Sequence, residues 1–133
     1  MAAKELEIIL TRQLADSLSI PVFITDTEGT LLFFNEPAEK IIKRKFGETG
    51  AMSTEQWSNL FKAQDATGKR IPRMDLPLVK TLIYCQPAQS EFWIENLEGE
   101  RYYLSATSFP LIGRSNRFVG AVVIFWEKET PRR

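Results

Sequence analysis

The sequence predicts an α+β domain: an antiparallel sheet with helices on one face, preceded by an amphipathic helix. Three observations carry this. The predicted elements run helix, two strands, several short helices, three strands, so two blocks of β-structure flank a helical insert. Residues 118–126 are apolar on both alternating faces, as a central strand covered on both sides requires. The length, 133 residues, suits one domain with its own core.

Residues 3–18 read as the first helix. Leu6, Ile9, Leu10, Leu14 and Leu18 recur at steps of three and four, with Lys4, Glu7, Arg12 and Asp16 between them. Ile20-Pro21 ends it, since a residue before proline is pushed out of the α region. Residues 21–26 are rich in β-formers, Thr27-Glu28-Gly29 supplies a turn, and residues 30–34 read as a paired second strand.

At Asn35 the pattern becomes helical. Asn35 is a good N-cap, Pro37 falls in the first turn where its missing N–H costs nothing, Ala38, Ile41 and Ile42 share a face, and Gly47 marks the stop. Ser53 or Thr54 caps a short helix carrying Trp57, Leu60 and Phe61. Asp65-Ala66-Thr67-Gly68 is a turn, and Asp75 is expected to cap another helix with Pro77 in its first turn. Residues 90–96, 101–111 and 117–127 are the last three strands, joined by turns at 97–100 and 113–116. Gly120 inside the final strand points to a close backbone approach or a bulge.

Composition excludes more than it identifies. Hydrophobic residues make up 44% and charged residues 26%, which argues for a globular domain. Lys+Arg and Asp+Glu balance at 17 each, so no basic excess suggests nucleic acid or an anionic membrane. The cluster of Lys40, Lys43, Arg44 and Lys45 reads as a solvated helix face. No apolar run approaches a bilayer span, and charges at Lys4, Glu5 and Glu7 interrupt any secretory signal. With Cys85 as the single cysteine, these features predict a soluble cytoplasmic domain. The absence of histidine removes His-based triads, zinc ligands and haem ligation. No phosphate loop, nucleophile elbow or paired metal-ligand motif is present, so no catalytic or metal residues are assigned. Asp26 and Asp75 are better read as turn and cap residues than as acid/base groups.

Pro21-Val22-Phe23-Ile24-Thr25-Asp26-Thr27-Glu28-Gly29, Phe33-Phe34-Asn35-Glu36-Pro37-Ala38-Glu39, Gly68-Lys69-Arg70-Ile71-Pro72 with Asp75-Leu76-Pro77-Leu78, Gly99-Glu100-Arg101-Tyr102-Tyr103-Leu104-Ser105 and Phe118-Val119-Gly120-Ala121-Val122 resemble, in order, successive segments of PAS domains. The resemblance spans about residues 19 to 127. It implies a five-stranded antiparallel sheet in order 2-1-5-4-3 with a pocket between sheet and helices. It divides the chain into an amphipathic helix (1–18), a PAS-like domain (19–128) and a polar tail (129–133). PAS domains that signal onward often end in Asp-x-Thr; Glu127-Lys128-Glu129-Thr130 is one residue longer and has Glu for Asp.

The resemblance also orients side chains. It sets Phe23, Thr25, Phe92, Ile94, Leu104, Ala106, Val122 and Ile124 inward on the sheet, faced by Ile41, Leu78 and Leu82. Two readings of this apolar set stand side by side. It is a filled core, or it is a cavity for an apolar ligand such as a fatty acyl chain, with Thr25 or Ser108 fixing the polar end. Small Ala106 and Gly120 leave room for the second. No cofactor is expected. The reactive-cysteine segment of flavin-binding LOV domains is missing, and Val122 stands where they hold a Gln. By the same alternation Ile24, Trp93, Tyr103, Val119, Val123 and Phe125 face outward. With Leu6, Leu10, Leu14 and Leu18 they are the expected homodimer interface, each helix packing on both sheets. The function implied is a PAS-type sensory domain that binds an apolar ligand or dimerises, or a pure interaction module that also contacts a signalling partner. The enzymatic alternative is a small isomerase-like fold drawing on Tyr84, Tyr102 or Tyr103.

Overall fold

The computed structural model describes residues 6–128. Its elements are α1 (Leu6–Ser17), β1 (Val22–Thr25), β2 (Leu31–Phe34), α2 (Glu36–Ile42), α3 (Phe46–Thr49), α4 (Thr54–Phe61), α5 (Pro77–Tyr84), β3 (Ala88–Glu95), β4 (Arg101–Ile112) and β5 (Phe118–Glu127). The five strands form one antiparallel sheet in the order β2-β1-β5-β4-β3. Helices α2, α4 and α5 close one face over the main core, and α1 lies across the other. The expected start of the first helix at residue 3 and the tail at 129–133 fall outside the described residues.

Local chemistry sets the boundaries. The Oδ1 of Asn35 accepts the N–H of Ala38 and caps α2. Ser53 and Gln56 form a reciprocal capping box at α4. Helices α2, α4 and α5 each end on a left-handed residue that is not glycine: Lys43, Lys62 and Cys85. Two expectations at helix ends are corrected. The helix after Asn35 stops at Ile42 and does not run to Gly47, because Lys43 turns left-handed and returns its N–H to the Glu39 carbonyl. Asp75 does not cap α5. It sits in a short 3₁₀ turn, and Leu76 takes the cap position without a side-chain bond.

The phase of β5 is also corrected. Phe23 pairs with Val123 and Ala106 with Phe125, so Ala121, Val123 and Phe125 share the inner face. Val122 and Ile124, expected inside, pack in the outer cluster beneath α1. Val123 and Phe125, expected outside, belong to the main core, and Val119 shares their parity. A strand apolar on both faces carries no alternation from which to read its phase. Gly120 gives a steric signal instead: a Cβ there would lie 2.2 Å from the Thr25 carbonyl oxygen and 3.1 Å from Ile8 Cδ1. That residue therefore points toward α1.

Helix α1 contacts the sheet through Ile8 and Ala15, which pack with Val22, Ile24, Phe33 and Val122. The guanidinium of Arg12 lies 4.4 Å from the Phe33 ring centroid. Asn35 fastens the helix: its Nδ2 donates to the carbonyls of Ala15 and Ile20, each at 2.9 Å, while its Oδ1 also accepts the Val22 N–H at 3.0 Å.

Candidate functional site

The space between sheet and helices is where a ligand pocket was expected. Phe23, Phe92, Ile94, Leu104 and Ala106 line its floor, with Ile41, Leu78 and Leu82 above. Val123 and Phe125 take the places expected for Val122 and Ile124. That exchange puts a phenyl ring where an isoleucine was expected. Phe125 lies 5.2 Å from Phe23 and 6.0 Å from Phe61, centroid to centroid. Phe61 in turn lies 4.7 Å from Phe23 and 5.6 Å from Trp57. Two small apolar cavities remain around these rings, of about 10 and 20 Å³, and Phe61 and Phe125 stand in the walls of both. An apolar void of that size stays dry and holds no acyl chain.

Thr25 and Ser108, the expected polar anchors, are fully buried on β1 and β4. Their hydroxyls, and that of Thr81 on α5, have no hydrogen-bond partner among the described residues. Neither Thr25 nor Ser108 lines either of the two cavities. None of the described carboxylates is buried, and no group of three or more His, Cys, Asp or Glu is arranged to hold a metal among the described residues. Tyr84 is exposed, and Tyr102 and Tyr103 are half-buried. Cys85 is the exposed left-handed cap of α5.

The outer side has a different character. Leu6, Leu10 and Leu14 do not rest on the sheet; they are 63%, 54% and 59% exposed, and Ile9 is 39% exposed. The helix is apolar on two sides, and small Ala15, bonded through its carbonyl to Asn35, decides which side seats. Leu18 and Ile124 are half-buried in that seat, and Ile24 is sealed under it. Of the residues expected at a dimer interface, Ile24, Val119, Val123 and Phe125 are therefore withdrawn from the surface. Trp93 and Tyr103 stay half-exposed on the outer face, their rings 5.2 Å apart, with Arg101 4.6 Å from the Trp93 ring. Beside them Glu91 accepts from Tyr103 Oη and Lys128 Nζ. The Lys128 bond, then the Tyr103 bond, hold the Glu91 carboxyl below its ordinary pKa, and the same pairing raises Lys128 and Tyr103.

No protein-family model and no curated protein matches the sequence. Solved structures do. The PAS domain of Bordetella pertussis BvgS superposes with a TM-score of 0.65 at 14% identity, covering 93% of this chain and 87% of that one. The PAS domain of nitrogen regulation protein NR(II) from Vibrio parahaemolyticus gives 0.63 at 16% identity, covering 90% and 98%. A LOV protein of Rhodobacter sphaeroides gives 0.70 at 13% identity, covering 92% and 68%.

The chain has the PAS fold.

Within this PAS fold, the interior that sequence reasoning marked as a site is packed, while one face of α1 is left open. The features missed from sequence are the seat of α1 on Asn35 and a cleft beside α4. Asn35 reads as an N-cap in sequence, and nothing in its neighbours announces that its amide also reaches Ala15 and Ile20. No helix among the described residues is long and apolar enough to cross a membrane.

Proposed function

We propose that this PAS-fold chain is a non-enzymatic cytoplasmic signalling domain that works by contact, as a homodimer assembled on the open face of α1. The observation that carries the reading is the exposure of Leu6, Leu10 and Leu14 on a helix already seated by its other side. These leucines lie on one i, i+4 ridge, and two such ridges interdigitate at a crossing near −50°. A stable interface buries about 1,200–2,000 Å² in total, more than three leucines per chain supply. Trp126, which is 43% exposed, and the half-exposed Trp93 and Tyr103 offer further outer apolar surface. The packed interior supports an interaction role over a ligand chamber. Light scattering of the intact chain at micromolar concentration tests this. A dimer is expected, and the Leu6→Gln/Leu10→Gln/Leu14→Gln variant should be a folded monomer. A monomeric mass for the intact chain overturns the reading.

The unpartnered hydroxyls of Thr25, Ser108 and Thr81 favour a second reading, in which a small apolar ligand with a polar end is held inside. Denaturing extraction followed by mass spectrometry separates the two. A stoichiometric small molecule would support the ligand; none would leave the packed core.

A further inference from the structure

A cleft of about 240 Å³ opens on the surface between α4 and residues 70–76, away from the α1 face. Its floor is apolar: Trp57, Phe61, Ile71 and Leu76. Its rim carries two arginines, Arg70 and Arg73, both exposed. Neither guanidinium pairs with a carboxylate among the described residues. Among the described residues the Arg70 guanidinium makes one hydrogen bond, to the Ser58 carbonyl, and it is 3.5 Å long. The nearby Asp65 is committed to its own turn, where its Oδ1 accepts from Thr67 and Lys69. Two cationic forks thus stand unpaired over an apolar floor.

We infer that this cleft docks a segment of a partner protein carrying one large apolar side chain flanked by acidic residues. Size selects a side chain over a free ligand. The cleft is open and falls below the roughly 300–1,000 Å³ of pockets that enclose small molecules, yet one aromatic or leucine side chain fits it. Interfaces concentrate their energy in such anchors, seated in an apolar pocket with a polar rim. The rim selects acid, because arginine meets carboxylates with two parallel hydrogen bonds. Lys62 and Lys69, close in sequence, add positive charge that steers an acidic segment inward. The floor also connects to the sheet. Trp57 Nε1 donates to the Gly29 carbonyl at 2.9 Å, and Phe61 touches Phe125 on β5. An anchor pressing on Trp57 and Phe61 therefore reaches both the β1–β2 turn and the central strand. The inference deepens the reading of the chain as an interaction module, but uses a surface separate from the dimer ridge.

Selection from a random peptide display library against the intact chain tests it. Enriched peptides should share a large apolar residue with Asp or Glu within about four positions. A synthetic peptide of the enriched sequence should shift the Trp57 indole N–H signal on titration. Its affinity should fall at least tenfold for Arg70→Gln/Arg73→Gln, whose melting temperature should stay that of the parent. Three results overturn the inference: no acidic-apolar enrichment, affinity indifferent to the double substitution, or displacement by free 3-phenylpropanoate at peptide-like concentrations, which makes the cleft a small-molecule site. Light scattering on the same samples keeps the readings apart. A monomer that selects acidic-apolar peptides fails only the dimer, and a dimer that selects none fails only the cleft.

Discussion

Replacing Phe125 with alanine is the sharpest test of the packed interior. Its ring stands in the walls of two cavities of about 10 and 20 Å³, both of which Phe61 also lines. Truncation adds the ring's own volume to them, for a void of roughly 130 Å³, which at about 24 cal/mol per Å³ costs about 3 kcal/mol in cavity formation. The lost transfer of the ring adds about 1.5–3 kcal/mol, so the two terms sum to about 4.5–6 kcal/mol, at or just above the upper end for such truncations. That is a large share of the roughly 5–15 kcal/mol that holds an ordinary domain together. Urea unfolding followed by tryptophan fluorescence should show the midpoint falling at nearly constant slope. The new void is apolar and should take up benzene, restoring part of the stability. A loss under about 1.5 kcal/mol without benzene uptake would mean that the site collapses freely. Saturable benzene binding by the parent would mean that a chamber already exists. Either result refutes the packed-core argument.

Further outcomes follow from the same geometry. Ala106→Leu, fully buried opposite Phe125, should cost about 1–3 kcal/mol by overpacking; an unchanged melting temperature would reveal free space. Gly120→Ala brings a Cβ to 2.2 Å from the Thr25 carbonyl oxygen, a backbone atom, so it should destabilise by about 3 kcal/mol or more and loosen α1, read as faster amide exchange at Ile8. The Glu91 clasp should be pH-dependent. Its carboxyl is lowered, so its stabilisation is present above the ordinary glutamate pKa and lost as pH falls through the lower folded value. Lys128 is raised, so its share is present below the ordinary lysine pKa and lost as pH rises through the higher folded one. An NMR titration should place Glu91 below an exposed glutamate, and a midpoint at or above it would remove the clasp. The absorption spectrum of freshly purified protein should be featureless beyond the protein band, and a stoichiometric flavin or Soret peak would contradict the absence of suitable ligands in the sequence.

How much of this was legible depended on whether a signal was one-sided. The element order was readable because turns and caps are local: the turns at Gly29 and Gly99 and the caps at Asn35 and Ser53 are each made within a few residues of chain. β3 and β4 were oriented correctly because Trp93 and Tyr103 alternate with Phe92, Ile94 and Leu104 under unequal burial. β5 was not, because residues 118–126 are apolar on both faces and either phase looks equally good. α1 failed for the same reason. Its leucines form the more obvious stripe, yet Ile8 and Ala15 seat, since a small residue lets the backbone approach Asn35. The candidate site inherited the error: one residue of slip in β5 exchanges Phe125 for Ile124, and with it a plugged interior for a roomy one. The cleft at Arg70 and Arg73 joins α4 to a loop with weak periodicity, and only the folded chain brings its walls together.

The amide of Asn35 has both N–H groups donated, to Ala15 and Ile20, and its oxygen accepts twice, from Val22 and Ala38. That leaves the position closed to exchange. Aspartate would turn oxygens toward two carbonyls, serine would cap α2 but fall short of α1, and glutamine carries the same amide one carbon too far. In this chain the cap of α2 and the seat of α1 are one side chain, so losing its amide would release the first helix from the sheet even where α2 can still be capped.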